Sequence, residues 1–359
     1  MSRNWQKDRL RCLFTGLKGV DAVLLMNTGA ADPNFHYLTG FTSGLFEDSV
    51  LVATSRRLYL ITSVLEYQTA LDQRTRNMRV ISSGYDGKAA KRWLLKLVKG
   101  KKIGINGSFL PANTFKRLKS KYKPKKLIDV SKSLLKARLI KGEDEILKIR
   151  KAVRITKTAM QRIQKYFKTG ITELQLAAQF DFIQMSLGAS GPSFDTIVCF
   201  GKNAALPHHS PGNTRLKKGD FVLIDAGAKI ANYCSDITRT FIFAGSGNAR
   251  QKEMLETVRK AQREAILAIE PSKDGKTIHT LAESVINSAY GGKFKGRFIH
   301  SLGHSLGLEV HDGPGFSRQS LKLRLGMVLT VEPGIYIPGF GGVRLEDDIL
   351  ITQNGCKIL

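Results

Sequence analysis

The sequence contains few cysteines and no long apolar run. The four cysteines, Cys12, Cys199, Cys234 and Cys356, are scattered over 359 residues and form no CxxC pair, which argues against a disulfide framework and against a thiolate zinc site. No apolar stretch approaches the length that spans a bilayer, and residues 1–9 are polar where a signal peptide needs an apolar core. These absences predict a cytoplasmic protein without a membrane partner.

Acidic residues are also scarce. The chain has 57 Lys and Arg against 30 Asp and Glu, for a net charge of +27, and two thirds of this excess falls in residues 1–140. The stretch from Lys88 to Lys126 carries 14 basic residues and no acid. This stretch is either a solvated surface or a patch that attracts nucleic acid or another polyanion. The solvated surface is favoured, because no RNA-binding motif or series of stacking aromatics accompanies the charge.

The hydrophobic pattern predicts two domains, 1–135 and 136–359. A hydrophobic fraction of 42% and a charged fraction of 24% are ordinary for a globular protein, and the length suffices for two domains. In the first domain, short apolar runs alternate with amphipathic segments, which is typical of an α/β domain. Strands are predicted at 22–26, 50–54, 58–62, 78–82 and 102–106, and helices at 88–98 and 112–121.

The second domain is predicted to be α+β. Three acids at 143–145 open a long helix that Gly170 ends, and another helix covers 172–188. Strands then dominate, with hairpin-like turns between them, so a purely parallel sheet is not expected. These strands are predicted at 196–200, 221–226, 238–243, 327–331 and 348–352, and two further helices at 251–269 and 278–289.

Two aspartates are predicted to face each other across a hairpin. Asp225 ends an apolar strand, and a turn at Ile230-Ala231 would set Asp236 directly opposite it, with the two Cβ atoms about 5 Å apart. Two like charges at that distance repel each other unless a cation lies between them or they share one proton. A bound metal is the better explanation.

A second hairpin and a histidine-rich run add to this group. A hairpin centred on Gly339 would set Glu332 opposite Glu346, and the glycine-punctuated run 300–311 offers three imidazoles. Four carboxylates and one histidine suit hard or borderline ions such as Mn, Co, Fe or Zn. Because carboxylates can bridge, the set also suits a two-metal site.

These residues resemble the pita-bread metallopeptidases, family M24, and among them the Xaa-Pro peptidases prolidase and aminopeptidase P. The resemblance rests on the two aspartates, on Gly303-His304 with His311 seven residues later, and on the motifs EPGIY at 332–336 and GVRLED at 342–347. It extends upstream to 191–198 and 203–209, and FHYLTGFT at 35–42 resembles a creatinase-type N-terminal domain. It implies an α+β fold with a pita-bread catalytic domain after a smaller α/β creatinase-type domain.

The resemblance also implies a role for each site residue. Two divalent ions, Mn, Co or Zn with Mn favoured, would be held by five ligands: Asp225, Asp236, His304, Glu332 and Glu346. A hydroxide bridging the ions would attack the peptide carbonyl, with Glu332 as the proton shuttle. His208 and His311 would position the substrate and stabilise the oxyanion, and Arg344 would contact a ligand carboxylate.

The implied activity is cleavage between an N-terminal residue and proline in short peptides, by a homodimer. Many relatives have an arginine, which can hold the carboxylate of a dipeptide, where this chain has Gly315. A strict dipeptidase is therefore less expected, although Arg318 is a candidate replacement. His209 is undecided between the substrate pocket and a structural loop, whereas His300 is expected to support the site.

Two alternative functions stay open. One is a methionine aminopeptidase-like exopeptidase, although a creatinase-type first domain weighs against it. The other is a non-catalytic protein on the same scaffold that binds RNA or the ribosome through the basic segment 88–126. Proteins of that kind usually lose metal ligands, and this chain retains all five.

Overall fold

The computed structural model describes residues 5–29 and 31–359 and divides the chain into two compact units, 1–138 and 139–359. The first four residues of the polar N-terminal segment lie outside the described residues. Within the described part, no helix is both long enough and apolar enough to cross a bilayer.

The first unit is built on one sheet of six strands: β1 (Ala22–Met26), β2 (Val50–Ala53), β3 (Leu58–Thr62), β4 (Met78–Ser82), β5 (Lys102–Ile105) and β6 (Lys126–Asp129). The spatial order is β4-β3-β2-β1-β5-β6. All strands run in one direction except β2, which is antiparallel to both of its neighbours. The described residues of this unit also form six helices: α1 (Trp5–Thr15), α2 (Pro33–Thr39), α3 (Val64–Gln73), α4 (Lys88–Val98), α5 (Ala112–Tyr122) and α6 (Ser131–Leu139).

Helices α4 and α5 are amphipathic, and this explains where the basic segment lies. Leu94 and Leu97 of α4 and Leu118 of α5 join one buried cluster with alternate residues of the strands. The lysines and arginines of these helices are exposed. Apolar residues at helical spacing thus cover the sheet, and the basic residues between them form the surface.

The second unit contains four helices: α7 (Glu143–Arg162), α8 (Glu173–Ser186), α9 (Ala249–Ala268) and α10 (Gly275–Ser288). Its strands are β7 (Gly191–Pro192), β8 (Ile197–Phe200), β9 (Phe221–Ala226), β10 (Ala228–Ile230), β11 (Tyr233–Cys234), β12 (Ile237–Ile242), β13 (Val328–Val331), β14 (Gly334–Ile337), β15 (Gly341–Arg344), β16 (Asp347–Thr352) and β17 (Gly355–Ile358). Short 3₁₀ segments lie at Ile163–Tyr166, Gly201–Ala205 and Ala289–Gly292. The strands form small sheets ordered β12-β9-β8, β11-β10-β7, β13-β16-β17 and β14-β15.

Strand β9 is buried on both faces and separates two hydrophobic clusters. Phe221 and Leu223 join one cluster, whereas Val222 and Ile224 join the other. This is why its sequence is continuously apolar and does not alternate with polar residues. Asp225 follows at the end of this strand, so its carboxylate is carried by a rigid element.

The predicted turn of the first hairpin is wrong by one residue. The chain reverses at Ala231 and Asn232, whose φ angles of 48° and 68° are both left-handed, and Asp225 therefore pairs with Thr238 and not with Asp236. Two successive left-handed residues suit a two-residue hairpin loop, and asparagine tolerates that conformation well. Since the pairing shifts by two residues, the alternation of faces along the strand is preserved.

The second hairpin has the predicted register. β14 pairs with β15 around Gly339, and β13 pairs with β16 in the same register beyond a short interruption. Glu332 and Glu346 lie in that interruption, one on each strand. The shared register sets them level with each other, as the sequence predicted.

Candidate active site

The second unit contains a cavity of about 510 Å³. All residues predicted to be catalytic or metal-binding line it, together with His300 and Arg344: His208, Asp225, Asp236, His304, His311, Glu332 and Glu346. The cavity also has an apolar part formed by Phe194, Ile197, Pro207 and Val310. A concave site with a few convergent polar groups and apolar walls is typical of an enzyme pocket.

Strand interruptions supply three of the four carboxylates. Asp236 lies between β11 and β12, Glu332 between β13 and β14, and Glu346 between β15 and β16. Pro333 follows Glu332 and has no N–H to contribute to a ladder. Each of these residues has a strand on either side of it in the chain, and the two strands fix its position.

Two glycines allow the histidine run to approach the sheet. A Cβ on Gly303 would lie 2.0 Å from the Thr330 carbonyl oxygen, and one on Gly315 would lie 2.2 Å from the Gly303 carbonyl oxygen. Both contacts are far shorter than van der Waals distance, so only glycine fits either position. The backbone that carries His304 is thereby held against β13, next to Glu332.

The carboxylates are buried and close enough to disturb one another. Burial and the neighbouring Glu346 raise the pKa of Asp236 well above its ordinary value. Burial and the neighbouring Glu332 do the same to the pKa of Glu346. Burial, together with the nearby Asp225, raises the pKa of Glu332 to about 8. Such a cluster needs positive charge or shared protons to be stable at neutral pH.

His304 is oriented as a metal ligand. Its Nδ1 lies 3.3 Å from the carbonyl oxygen of Ser305, to which it can donate, and its Nε2 lies 3.4 Å from Asp236 Oδ2 and 3.6 Å from Glu332 Oε1. A donated Nδ1 proton leaves the Nε2 lone pair directed at the carboxylates. Burial and the adjacent His311 lower the pKa of His304 to about 4, so the ring is neutral at pH 7.

Arg344 connects Asp225 to other cavity residues through a chain of hydrogen bonds. Its Nη2 bonds to Asp225, which is the carboxylate contact that the resemblance implied, and its Nη1 donates to the Tyr336 hydroxyl at 2.9 Å. That hydroxyl lies 2.8 Å from His300 Nε2, and His300 Nδ1 lies 2.8 Å from the Ser301 carbonyl oxygen. His300 thus supports the site.

A buried acid that the sequence analysis missed controls the loop of His208. Glu173 accepts hydrogen bonds from the Phe200 amide at 2.8 Å and from Asn203 at 2.9 Å, and it lies 2.9 Å from His209 Nε2. His209 is therefore a structural loop residue, whereas His208 lines the cavity. In the sequence, Glu173 looks like an ordinary acid in the first turn of a helix.

A buried ion pair next to His311 was also missed. Lys141 Nζ lies 3.2 Å from Asp312 Oδ2, and both side chains are almost fully excluded from solvent, at 0% and 1% exposure. The Asp312 amide donates to the Ser305 carbonyl at 2.8 Å. This contact sets His311 beside His304, with the ring centroids 4.1 Å apart. The two partners are 171 residues apart in sequence, and no local pattern marks them.

The candidate replacement for the missing arginine lies elsewhere. Gly315 and Ser317 line the cavity, but Arg318 does not. Its side chain is exposed and forms an ion pair with Glu283 at 2.9 Å. The structure therefore does not place Arg318 in the pocket.

The residues present fit divalent metal ions. One oxygen each of Asp236 and Glu346 and one His304 nitrogen lie within 4.8 Å of one another. Asp225 Oδ1 and Glu346 Oε1 are buried and have no hydrogen-bond partner in the described part of the chain. Buried, partnerless carboxylate oxygens around a neutral imidazole match the donor set of a hard or borderline cation. Fold and site together define a two-domain metallohydrolase.

Comparisons with known proteins establish the family. The model of metallopeptidase family M24 matches residues 147–353, and that of the creatinase/prolidase N-terminal domain matches residues 9–140. The chain therefore belongs to metallopeptidase family M24 and is a metal-dependent peptidase. The predicted family, the α+β pita-bread fold with its creatinase-type first domain, and the enzyme class are confirmed.

Similar proteins cover nearly the whole chain. An Xaa-Pro dipeptidase of Pyrococcus horikoshii is 38% identical over 348 residues, which are 96% of this chain and 94% of that protein. The crystal structure of the prolidase from Pyrococcus horikoshii has a TM-score of 0.87 at 35% identity, covering 99% of this chain and 97% of that one. The X-Pro aminopeptidase from Thermotoga maritima has a TM-score of 0.87 at 32% identity, covering 96% of both chains.

The crowded carboxylates predict how the stability of the metal-free protein depends on pH. The folded-state pKa of Glu332, about 8, lies above its ordinary 4.5, so its stabilising contribution is complete below pH 4.5 and is lost as the pH rises through 8. The pKa values of His300 and His304 are lowered from 6.5 to about 4. These two residues make the protein more stable as the pH rises, but only below about pH 6.5. The melting temperature in chelator should therefore fall between pH 6.5 and 8.

Calorimetry at the two pH values tests this prediction. Adding Mn²⁺ should raise the melting temperature more at pH 8 than at pH 6.5, because metal binding displaces protons from the carboxyls. The variant Glu332→Gln should show a smaller fall in chelator. A melting temperature that rises with pH in the metal-free wild type would contradict the prediction.

Proposed function

We propose that this protein hydrolyses the peptide bond between an N-terminal residue and proline. The observation that carries the proposal is the convergence of four carboxylates and His304 on one cavity. Support also comes from relatives that include an Xaa-Pro dipeptidase and an X-Pro aminopeptidase. The substrates would be dipeptides or short peptides with proline in the second position.

The proposed metal ligands for two divalent ions are Asp225, Asp236, His304, Glu332 and Glu346. The donor set suits several divalent ions, and manganese is proposed on the family resemblance, with cobalt and zinc as alternatives. When bound, such ions lower the pKa of water towards neutrality and polarise a carbonyl. Asp236 and Glu346 would hold the ions together with His304, and Arg344 holds Asp225 in place.

The chain's own residues would manage the proton and the developing charge. Glu332 lines the cavity beside His304, and we propose it as the proton shuttle to the leaving proline nitrogen. His208 and His311 line the same cavity and can donate ring N–H groups to the substrate carbonyl as it gains negative charge.

The charge of the cavity affects which lengths of substrate peptide are expected to be cleaved. Among the described residues that line it, Arg344 is the one lysine or arginine, and its guanidinium is bonded to Asp225 and Tyr336. A dipeptide would bring its carboxylate close to this pocket without a free cation to pair with it. Peptides of three or more residues are therefore expected to be cleaved at least as well as dipeptides.

A panel of metals and peptides tests the function. The full chain is incubated with Mn²⁺, Co²⁺ or Zn²⁺ and with Xaa-Pro, Xaa-Pro-Yaa, Xaa-Ala-Yaa or Met-Ala-Yaa peptides, and the released N-terminal residue is measured. We expect release from the proline peptides. No cleavage of any proline peptide with the three metals would reject the proposal. Preferential release from Met-Ala-Yaa would favour the methionine aminopeptidase alternative.

We further propose that the enzyme is a cytoplasmic homodimer. Its four cysteines are free thiols in the structure, which fits a reducing compartment. Sedimentation velocity at assay concentrations tests the oligomeric state. A fully active monomer would reject the dimer.

A further inference from the structure

A second cavity lies in the first unit, far along the sequence from every residue of the candidate active site. It has a volume of about 430 Å³. It is lined by Met26, the last residue of β1, by Thr62, the last residue of β3, and by Ser83, which follows β4. These three strands run in the same direction, so the cavity lies outside their carboxyl ends. In open α/β sheets, ligands bind in the crevice at that edge.

Two helices form the walls of this cavity. Thr114, Arg117, Leu118 and Lys121 line it from α5, at the three-and-four spacing of a single helical face. Ala90 and Leu94 of α4, four residues apart, line the facing wall. The cavity is thus a groove between two helices that cover the same side of the sheet.

The groove carries unneutralised positive charge. Arg117 and Lys121 belong to the segment 88–126, which contains 14 basic residues and no acid. Neither side chain has a carboxylate partner in the part of the chain that the structure describes, and Asp48 is the single acid among the lining residues. Two basic side chains against one acid leave the cavity with a net positive charge, which favours anionic ligands.

The rest of the lining indicates what kind of anion would fit. Hydroxyl groups come from Thr28 and Ser63, and they can donate to phosphate oxygens, which an arginine can also bind with two parallel N–H groups. The remaining wall is apolar and includes Val50 and Leu94. An inorganic ion would leave that part of the cavity unfilled, whereas an organic group would cover it.

We propose that the groove between α4 and α5 binds a small organic phosphate of nucleotide size, with Arg117 and Lys121 contacting the phosphate and the apolar wall contacting the organic group. This site lies in the first unit and is independent of the peptidase chemistry. The proposal assigns a specific ligand to the basic segment 88–126, in place of a general attraction for polyanions.

Isothermal titration calorimetry on the full chain tests the site with AMP, adenosine and inorganic phosphate as probes. We expect AMP to bind with a dissociation constant below about 1 mM, and adenosine and inorganic phosphate each to bind at least about tenfold more weakly. The double variant R117E/K121E should weaken AMP binding at least about tenfold. The matched control K116E/K119E changes the charge of the same helix equally but alters residues outside the cavity lining, and it should stay within about twofold of wild type.

Three outcomes would overturn the proposal. These are no saturable AMP binding, inorganic phosphate binding as tightly as AMP, and equal weakening in both double variants, which would mean general electrostatic attraction. Circular dichroism checks that both variants fold. Cleavage of Xaa-Pro peptides by R117E/K121E is measured in parallel and should be unchanged, so failure of this site and failure of the proposed peptidase function are distinguishable.

Discussion

Replacement of Asp236 by alanine is expected to reduce kcat/KM for Xaa-Pro peptides at least about a thousandfold. Asp236 is 6% exposed, and one of its oxygens lies in the cluster with His304 and Glu346. Its loss removes a proposed metal ligand, so bound metal should fall together with activity. The measurements are steady-state kinetics in saturating Mn²⁺ and metal content after gel filtration.

A matched variant separates the loss of a ligand from general damage. Asp181 is another partly buried aspartate, and burial raises its pKa. It lies outside the cavity and accepts a hydrogen bond from Thr196 at 2.6 Å. Asp181→Ala should keep its metal and most of its activity. If Asp236→Ala kept full activity, the proposed metal centre would be wrong. A non-catalytic polyanion binder would instead show salt-sensitive RNA binding that Asp236→Ala leaves unchanged.

Replacement of Glu332 by glutamine is expected to lower kcat by about 10² to 10⁴ in saturating metal, with a smaller change in KM. Glutamine keeps the size of the side chain and can still accept the bond from Thr330, but it cannot carry the proton to the leaving nitrogen. The pH profile of kcat should also lose the ionisation assigned to this carboxyl. Kinetics from pH 6 to 9 measure both effects.

The control for this variant is Glu283→Gln. Glu283 is partly exposed, binds Arg318 and lies outside the cavity lining, so its replacement should leave kcat nearly unchanged. Retention of more than about a tenth of kcat by Glu332→Gln in saturating metal would show that another group transfers the proton.

Local patterns in the sequence were enough to predict most of the fold. Strand β9 is a continuous apolar run because both of its faces are buried, and the hairpin that was centred on Gly339 to pair Glu332 with Glu346 has the observed register. The first turn was misplaced by one residue because the prediction included Ile230 in place of Asn232, although asparagine is the residue that tolerates the left-handed conformation. Four helices of the first unit, α1, α2, α3 and α6, were not predicted, although Asp32 caps α2 and Pro33 opens it.

The candidate ligands could be proposed because four carboxylates on two hairpins and a histidine-rich run form a set, whereas each acid alone is better explained as an ordinary strand-end or turn residue. The groups that support them could not. Glu173 organises the loop of His208 through bonds to residues about 30 positions away, and Lys141 reaches Asp312 across most of the second unit's sequence. Such contacts depend on tertiary folding, and a single sequence carries no local signal for them.

The backbone contact between Gly303 and Gly315 limits how the substrate range of this protein can be changed. Any side chain introduced at position 315 would collide with the chain segment that carries His304, so an arginine placed there would disrupt the candidate active site before it could recognise a new substrate. Directed evolution towards dipeptides would have to start from positions with free space, such as Ser317 or Phe194 at the cavity wall.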